Sequence, residues 1–460
     1  MTKKQRLELT WIGKDKPVKL EPRILIEDPS KSYGDPNSGN MLIHGDNLLA
    51  LKALEQDYTG KIKCIYIDPP YNTGNAFEHY DDGLEHSIWL NLMYERLKIL
   101  KKLLREDGVI FVQIDDNEGA YLKILLDQVF GRDNFETTFF IQVRYGNKTL
   151  NEDNNYQKLI EQVFVYGKGN FKPNKEKVEY SIDKFQWKIT ELSSGSKIQI
   201  GGRDVVIFKK GEYKIDKIDP DLTGLKETWA TGSLVKQGGS AAEFFDLHLS
   251  HRKATDGLNT LYKVIDMGTN GDGLGYRYIS GPKKTTATKG KFYSGIPISK
   301  LEAIKNGTAQ KEKPIENFYD FAGNFGNCRL EGGVSFNGGK KPEELLRKII
   351  EIGSDEGDIV LDSFLGSGTT AAVAHKLNRK WIGVELGEQA YTHDKVRMDK
   401  VVDGEDQGGI SKSVDWKGGG GYKFYELAPS GFLDKNTVVT NSAHVIQEKE
   451  KELLKNHKNV

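Results

Sequence analysis

A chain of 460 residues with 37% hydrophobic and 29% charged side chains is long enough for two to four domains and a core that needs no staples. Lys+Arg and Asp+Glu both total 66, which excludes a uniformly basic or acidic protein and leaves any nucleic-acid contact to locally segregated charge. Cys64 and Cys328 are too few for a disulfide framework or a thiolate zinc site, and no leader pattern or bilayer-length apolar run is read, so the expected location is the cytoplasm, with no membrane contact.

Residues 1–40 are polar and read as an arm with little core of its own. Met41-Leu42-Ile43-His44-Gly45-Asp46 reads as a short strand ending in Gly-Asp, and 48–54 as a helix. Asp46 therefore stands at a strand's carboxyl end, where it either caps that helix or faces a ligand. The next strand, 62–67, ends in Asp68-Pro69-Pro70-Tyr71. Prolines cannot donate to a sheet ladder, so Asp68 also sits at a carboxyl end, where open α/β sheets place their ligands. The prolines fix the backbone, and the carboxylate, the following carbonyls and the Tyr71 ring face one point. That combination suits a planar base held by its exocyclic amine; the bland alternative is a strand closed by a Pro-Pro turn.

Residues 72–87 read as a loop over this point. His79 and His86 lie there, but no third ligand stands at useful spacing and no metal is expected. Ile88, Leu92, Met93, Leu97, Leu100 and Leu104 fall on one helical face, with Gly108 as the stop. Residues 109–114 form a buried strand, 121–130 a helix, and 139–143 and 162–166 pair as the last strands of the sheet.

From 145 to 332 strand–helix alternation gives way to polar, glycine-rich sequence with scattered aromatics. Lys283, Lys284, Lys289 and Lys291 stand near Tyr276, Arg277, Tyr278, Phe292 and Tyr293, a mixture that fits phosphate contact and base stacking as well as it fits a solvated β-rich insertion. His248, His251 and Arg252 admit the same two readings. Alternation returns with a helix over 343–352 and a strand over 358–362. Asp362, Ser363, Phe364, Gly366, Gly368, Thr369 and Thr370 then form a glycine loop that opens a helix to about 377. A strand over 381–385 ends in Glu385, residues 404–421 read as a flexible turn or lid, and 422–427 as a strand. A Lys/Glu-rich surface or partner helix closes the chain.

Gly366-x-Gly368-x-x-Ala371 between a strand and a helix, with an acid at the next strand end, satisfies nucleotide-binding geometry. The glycines let a ligand approach the backbone, and Glu385 can accept both hydrogen bonds of a ribose diol. NAD, FAD and S-adenosylmethionine all fit this pattern, whereas the nucleotide-hydrolysing P-loop is absent from the sequence. Phe364, able to pack on the ligand, and the separate amine-holding site at Asp68 favour S-adenosylmethionine. An NAD-dependent oxidoreductase would leave 65–72 unexplained. A non-catalytic DNA-specificity subunit would have no need of both sites.

These residues carry a resemblance. D-P-P-Y at 68–71 is similar to the catalytic motif of DNA amino-methyltransferases, and F-x-G-x-G at 364–368 to their cofactor motif. The order of the two resembles the permuted β class, and the surrounding sequence resembles the modification subunits of type III restriction–modification systems. The resemblance implies an α/β fold, a circularly permuted Rossmann-like methyltransferase sheet with an inserted α+β target-recognition domain. Its parts would be an arm at 1–40, a catalytic half at 41–144, target recognition at 145–332, a cofactor half at 333–430 and a tail at 431–460. The strands ending at Asp362, Glu385, Asp46 and Asp68 would be first to fourth in the sheet. The implied activity is site-specific methylation of adenine N6 in double-stranded DNA, with cytosine N4 as runner-up. Asp68 and the Pro69 carbonyl would hold the amine, and Tyr71 would stack on a flipped base. Glu385 would hold the ribose and Asp46 the adenine edge of S-adenosylmethionine. The 363–368 backbone with Lys341 and Pro342 would face its methionine part. A homodimer and a restriction subunit are the implied partners.

Overall fold

The computed structural model describes residues 8–16, 20–21, 23–72, 76–77, 80–81, 85–146, 155–336 and 338–429. It divides into two compact units, one of Met1–Asn174 with Ile315–Val460, the other of Lys175–Pro314. His79 and the expected C-terminal helix lie outside the described residues, as does much of the expected loop over 72–87.

The first unit is built on one mixed sheet. Its strands in chain order are β1 (Leu25–Glu27), β2 (Met41–His44), β3 (Ile62–Ile67), β4 (Leu104–Ile114), β5 (Phe135–Gln142), β6 (Ile160–Gly167), β7 (Phe318–Asp320), β8 (Ile359–Asp362), β9 (Lys380–Glu385) and β10 (Gly421–Leu427). In space they run β1-β10-β2-β9-β8-β3-β4-β6-β5-β7, and Tyr33–Gly34 adds a short pairing along β10. From β10 to β4 every neighbour is parallel, and β6 enters antiparallel between β4 and β5. The central order β2-β9-β8-β3 is the expected third, second, first and fourth, so permutation leaves the sheet intact.

Period-two alternation explains why the sheet is covered on both sides. Leu42, Tyr66, Phe111, Val165, Val360 and Trp381 point to one face, packed with Leu345 and Leu346 of α4 (Glu343–Gly353), Ala371 to Ala374 of α5 (Thr369–Lys376) and Met398 of α6 (Val396–Asp403). Ile43, Ile65, Ile110, Phe164, Leu361 and Ile382 point to the other. There they meet Leu51 of α1 (Asn47–Tyr58), Trp89, Met93 and Leu97 of α2 (His86–Leu103) and Leu125 of α3 (Gly119–Phe130).

Several expectations are corrected. Helix α2 stops at Leu103, and Gly108 lies inside β4 rather than ending the helix. Leu104 already pairs with Ile62, and the register shifts before Val109 meets Cys64. The polar residues between are held by pairs of Arg105 with Asp107 and Asp358, and of Lys63 with Asp107. Ile88 is 55% exposed because the buried face runs instead through Trp89, Met93, Leu97 and Leu100. The stretch 404–421 is no lid: Ile410 is fully buried and the Trp416 indole donates to the Val401 carbonyl at 2.7 Å. The arm is partly integrated, since β1 pairs with β10 and the Trp11 indole donates to Asn91 at 2.9 Å.

The domain boundaries also move inward from 145 and 332. Residues 145–174 and 315–332 belong to the first unit because β6 and β7 complete its sheet. The second unit carries an eight-stranded sheet, antiparallel throughout, that includes Arg203–Phe208, Leu261–Ile265, Tyr276–Ser280 and Lys291–Ser294. Val205 and Ile207 face a core with Phe245, while Val206 and Phe208 face a second with Tyr278 and Tyr293. The second unit is thus β-rich and is inserted in sequence between the two stretches of the first.

Candidate active site

The sheet reverses its direction of growth between β8 and β3, from which the chain winds outward both ways. Ligands of open α/β sheets bind in the crevice outside the carboxyl ends at such a switch point. Val360 pairs with Cys64 and Leu361 with Ile65, so Asp362 ends its strand level with Tyr66, and Asp68 lies two residues further on, just past the end of the neighbouring strand. A cavity of about 410 Å³ opens there. Asp46, Asp68, Pro69, Pro70, Tyr71, Lys341, Asp362, Ser363, Phe364, Gly366, Thr369, Thr370 and Glu385 line it together. The two sequence motifs therefore share one cavity.

Asp68 is held from two sides. Its Oδ1 accepts from the Tyr71 hydroxyl at 2.8 Å, and its Oδ2 lies 2.6 Å from the Lys341 ammonium. Each carboxylate oxygen keeps a further lone pair for a ligand. Burial holds the Asp68 carboxyl above its ordinary value, opposed by Lys341 and reinforced by the charge of Glu161. Burial would depress Lys341, but Asp68 and Glu161 outweigh it and raise its affinity for the proton. Lys341 also stands 5.0 Å over the Tyr71 ring. Its observed partner is the catalytic-motif carboxylate. Pro342 sits behind it as the residue that opens α4. The Trp89 indole donates to the Pro70 carbonyl at 2.8 Å and fixes the turn, and Asn72 follows in the left-handed region at φ 58°.

Glu385 is 3% exposed at the end of β9. Its Oε2 accepts from the Gly366 amide at 2.7 Å, and its Oε1 from those of Leu386 and Gly387 at 3.1 and 3.2 Å. Burial raises its pKa although these donors pull the other way. Asp362 accepts from the Phe364 amide at 2.9 Å and the Thr370 hydroxyl at 2.6 Å, and burial pushes it up to about 7. Gly366 and Gly368 have φ 63° and 73°, and a Cβ on Gly368 would stand 2.9 Å from Asp394 Oδ1. The Ser363 hydroxyl is buried in the cavity wall without a hydrogen-bond partner among the described residues. An unmet polar atom, a glycine turn open to close approach and a buried acid suit S-adenosylmethionine.

Asp46 caps the helix and borders the cavity. Its Oδ1 caps α1 by accepting from the Leu48 and Leu49 amides at 2.9 and 3.1 Å, while Oδ2 lies 3.3 Å from Arg96. Asn47 donates to the Ser363 carbonyl at 2.6 Å and accepts from Arg96, tying α1 and α2 to the glycine loop.

Three groups of residues went unread in the sequence. Glu161 lies 2.8 Å from the Tyr71 hydroxyl. Arg96 bridges Asp46 and Asn47 at the start of α1. Beneath the glycine loop, Glu343 bonds Lys376 at 2.8 Å and Arg397 at 2.7 Å, and Lys376 bonds Asp406 at 2.6 Å, all essentially without solvent exposure. Arg397 also donates to the Ser367 carbonyl at 2.9 Å. No local pattern marks these residues, because each meets its partner only through the tertiary fold.

In the second unit, the proposed DNA-contacting residues are not one free basic surface. Lys283, Lys284 and Lys289 are exposed. Lys291 instead bonds Glu227 at 2.6 Å over the Trp229 ring, and Arg277 bonds the buried Asp272 at 2.7 Å. Tyr276 lies edge-on to Tyr278 beneath Lys263, and Arg252 is paired with Asp256. Lys291 meets Glu227 across two paired strands, whereas Arg277 and Arg252 are neutralised by acids only five and four residues away in the sequence. His86 pairs with Glu118 at 2.9 Å. Among the described residues no group of three or more His, Cys, Asp or Glu could hold a metal, and no helix is long and apolar enough to cross a membrane.

Comparison with known proteins bears on the same residues. Residues 62–395, which span both sides of the cavity, match the DNA methylase family. The chain is 37% identical over 435 residues to a protein named as a probable type III restriction–modification enzyme HindVI Mod subunit, from Haemophilus influenzae, covering 89% of this chain and 56% of that one. It is 29% identical to the EcoPI Mod subunit of Escherichia phage P1, covering 82% and 62%. It is 27% identical to the type II methyltransferase M.EcaI of Enterobacter cloacae, covering 80% and 74%. The chain thus spans little more than half the length of the first two relatives. A carboxylate and a glycine loop at adjacent strand ends, within a match that covers most of the chain, place this protein in the DNA methylase family.

Proposed function

We propose that the chain transfers a methyl group from S-adenosylmethionine to N6 of an adenine turned out of double-stranded DNA, as the modification component of a restriction–modification system. The observation that carries this reading is that Asp68 and the Gly366–Glu385 pair line one cavity. S-adenosylmethionine supplies an electrophilic methyl on a sulfonium. Glu385 and the 363–369 backbone would hold it, and the unmet Ser363 hydroxyl lies on the same wall.

An exocyclic amine is a poor nucleophile because its lone pair is delocalised into the ring. Asp68 and the Pro69 carbonyl, by accepting its two hydrogens, localise that pair and aim it. Lys341 and Tyr71 fix the carboxylate beforehand, so little reorganisation is needed when the amine arrives. Tyr71 presents its ring to the extruded base while its hydroxyl stays anchored. An acid rather than a serine at position 68 supports adenine over cytosine. The Mod subunits among the relatives support a type III system, with a restriction subunit as partner. Incubation with labelled S-adenosylmethionine and DNA, followed by nucleoside chromatography, should place the label in N6-methyladenine. Label in N4-methylcytosine would transfer the reading to the runner-up, and unlabelled DNA would refute it.

A further inference from the structure

The Tyr71 hydroxyl has one hydrogen, yet its oxygen lies 2.8 Å from Asp68 Oδ1 and 2.8 Å from Glu161 Oε2. It can donate to only one carboxylate, and the other contact becomes a hydrogen bond only when that carboxyl carries a proton. The geometry is therefore that of a site shared by three oxygens and able to take up one more proton. Glu161 reaches it from β6, behind the cavity wall, and is fixed there. Its Oε2 accepts from the Gln113 amide at 2.6 Å, the Gln113 carbonyl accepts from the Tyr66 hydroxyl at 2.7 Å, and the Lys341 ammonium is 3.9 Å away. Its side chain is 18% exposed, and among the described residues no cation stands closer to it than Lys341.

We propose that Glu161 is a positioning residue that receives the proton of methyl transfer, relayed from Asp68 through the Tyr71 hydroxyl. The inference rests on the functional reading above. As the amine lone pair forms the N–C bond, the electron pair of the breaking C–S bond remains on sulfur, and the nitrogen must lose one proton. Asp68 takes that proton. Asp68 then passes a proton to the Tyr71 oxygen as the Tyr71 hydrogen moves to Glu161. One proton has then travelled from nitrogen to Glu161; Asp68 is again a carboxylate and Tyr71 again a neutral hydroxyl, which begins the relay turned to Glu161 and ends it turned to Asp68. Glu161 is exposed enough to release the proton to solvent between turnovers, and Lys341 keeps its charge beside Asp68 throughout.

The test is single-turnover methyl transfer by the full chain with S-adenosylmethionine already bound, comparing the parent with Glu161→Gln, Glu161→Asp, Tyr71→Phe and the Glu161→Gln/Tyr71→Phe double variant. Glutamine keeps the shape and the bond to Gln113 but cannot accept the relayed proton. Glu161→Gln should slow transfer at least tenfold with cofactor affinity within threefold of the parent. Glu161→Asp should recover part of the rate, and the double variant should be no slower than Tyr71→Phe alone, because both substitutions break one relay. A Glu161→Gln rate within twofold of the parent would overturn the inference while leaving the functional reading intact. Losses that multiply in the double variant would do the same. If Glu161→Gln melts far below the parent, Tyr71→Phe and Glu161→Asp still carry the comparison: a parent-like rate in Tyr71→Phe overturns the relay. A parent that transfers no methyl overturns both readings together.

Discussion

Glu385 and Asp68 are both acids at strand ends, and their surroundings give them different work. Glu385 accepts three backbone amides and braces the glycine loop, whereas Asp68 is paired with Lys341 and faces the cavity. Glu385→Ala should weaken S-adenosylmethionine binding at least tenfold by calorimetric titration, since a hydrogen bond to a charged group contributes roughly 1.5–3 kcal/mol. Unchanged affinity would remove Glu385 from the cofactor site. Asp362 makes a pH prediction. Burial raises it to about 7, so folding favours its neutral form. That contribution is fully present below its unfolded value and is lost as pH rises through about 7. Asp362→Asn should therefore lose less thermal stability than the parent between about pH 5 and pH 8; parallel curves would contradict the assignment. At this scale the sequence was legible where chemistry is local. Prolines must end a strand and glycines must open a turn, so Asp68 to Tyr71 and Gly366 to Gly368 could be read directly. Lys341 could not be assigned its partner, because the contact with Asp68 joins residues from opposite halves of the chain.

Among the elements, the loop between β8 and α5 is the most constrained. Gly368 adopts φ 73° and leaves no room for a methyl group beside Asp394. Gly368→Ala should cost about 1–2 kcal/mol from the left-handed backbone alone. It should also reduce cofactor affinity, because relief of the clash must move the loop. A variant with parent-like melting temperature and affinity would show that the turn is not held this tightly. Elements with strong periodicity, β2, β3, β8 and β9, were legible to within a residue or two. The α2–β4 junction was not, since Arg105, Glu106 and Asp107 look like a helix end and become part of a strand only through ion pairs to Lys63 and Asp358. The stretch 404–421 misled for a related reason. Its glycines suggest freedom, while Ile410, Trp416 and Asp406 anchor it to the core.

At the scale of the molecule, the sheet order survives permutation, and the order of the two motifs together with their family resemblance made the architecture readable. Where the inserted unit begins was not readable, because β6 and β7 complete the first unit's sheet from within the stretch that looked like insertion. Beneath the cavity, the Glu343–Lys376–Arg397–Asp406 cluster ties α4, α5, α6 and the 404–421 segment together. Glu343→Ala would leave two buried cations short of their shared partner, and urea unfolding should show a loss of about 3–5 kcal/mol. A loss below about 1 kcal/mol would mean that solvent or neighbouring groups replace the carboxylate. The proposed function assigns binding of the methyl donor to one strand end and activation of the acceptor amine to its neighbour. Asp68→Ala separates the two when S-adenosylmethionine affinity and single-turnover methyl transfer to DNA are measured on the same preparation. We predict affinity within threefold of the parent and no detectable transfer; transfer at a rate comparable to the parent would contradict the account.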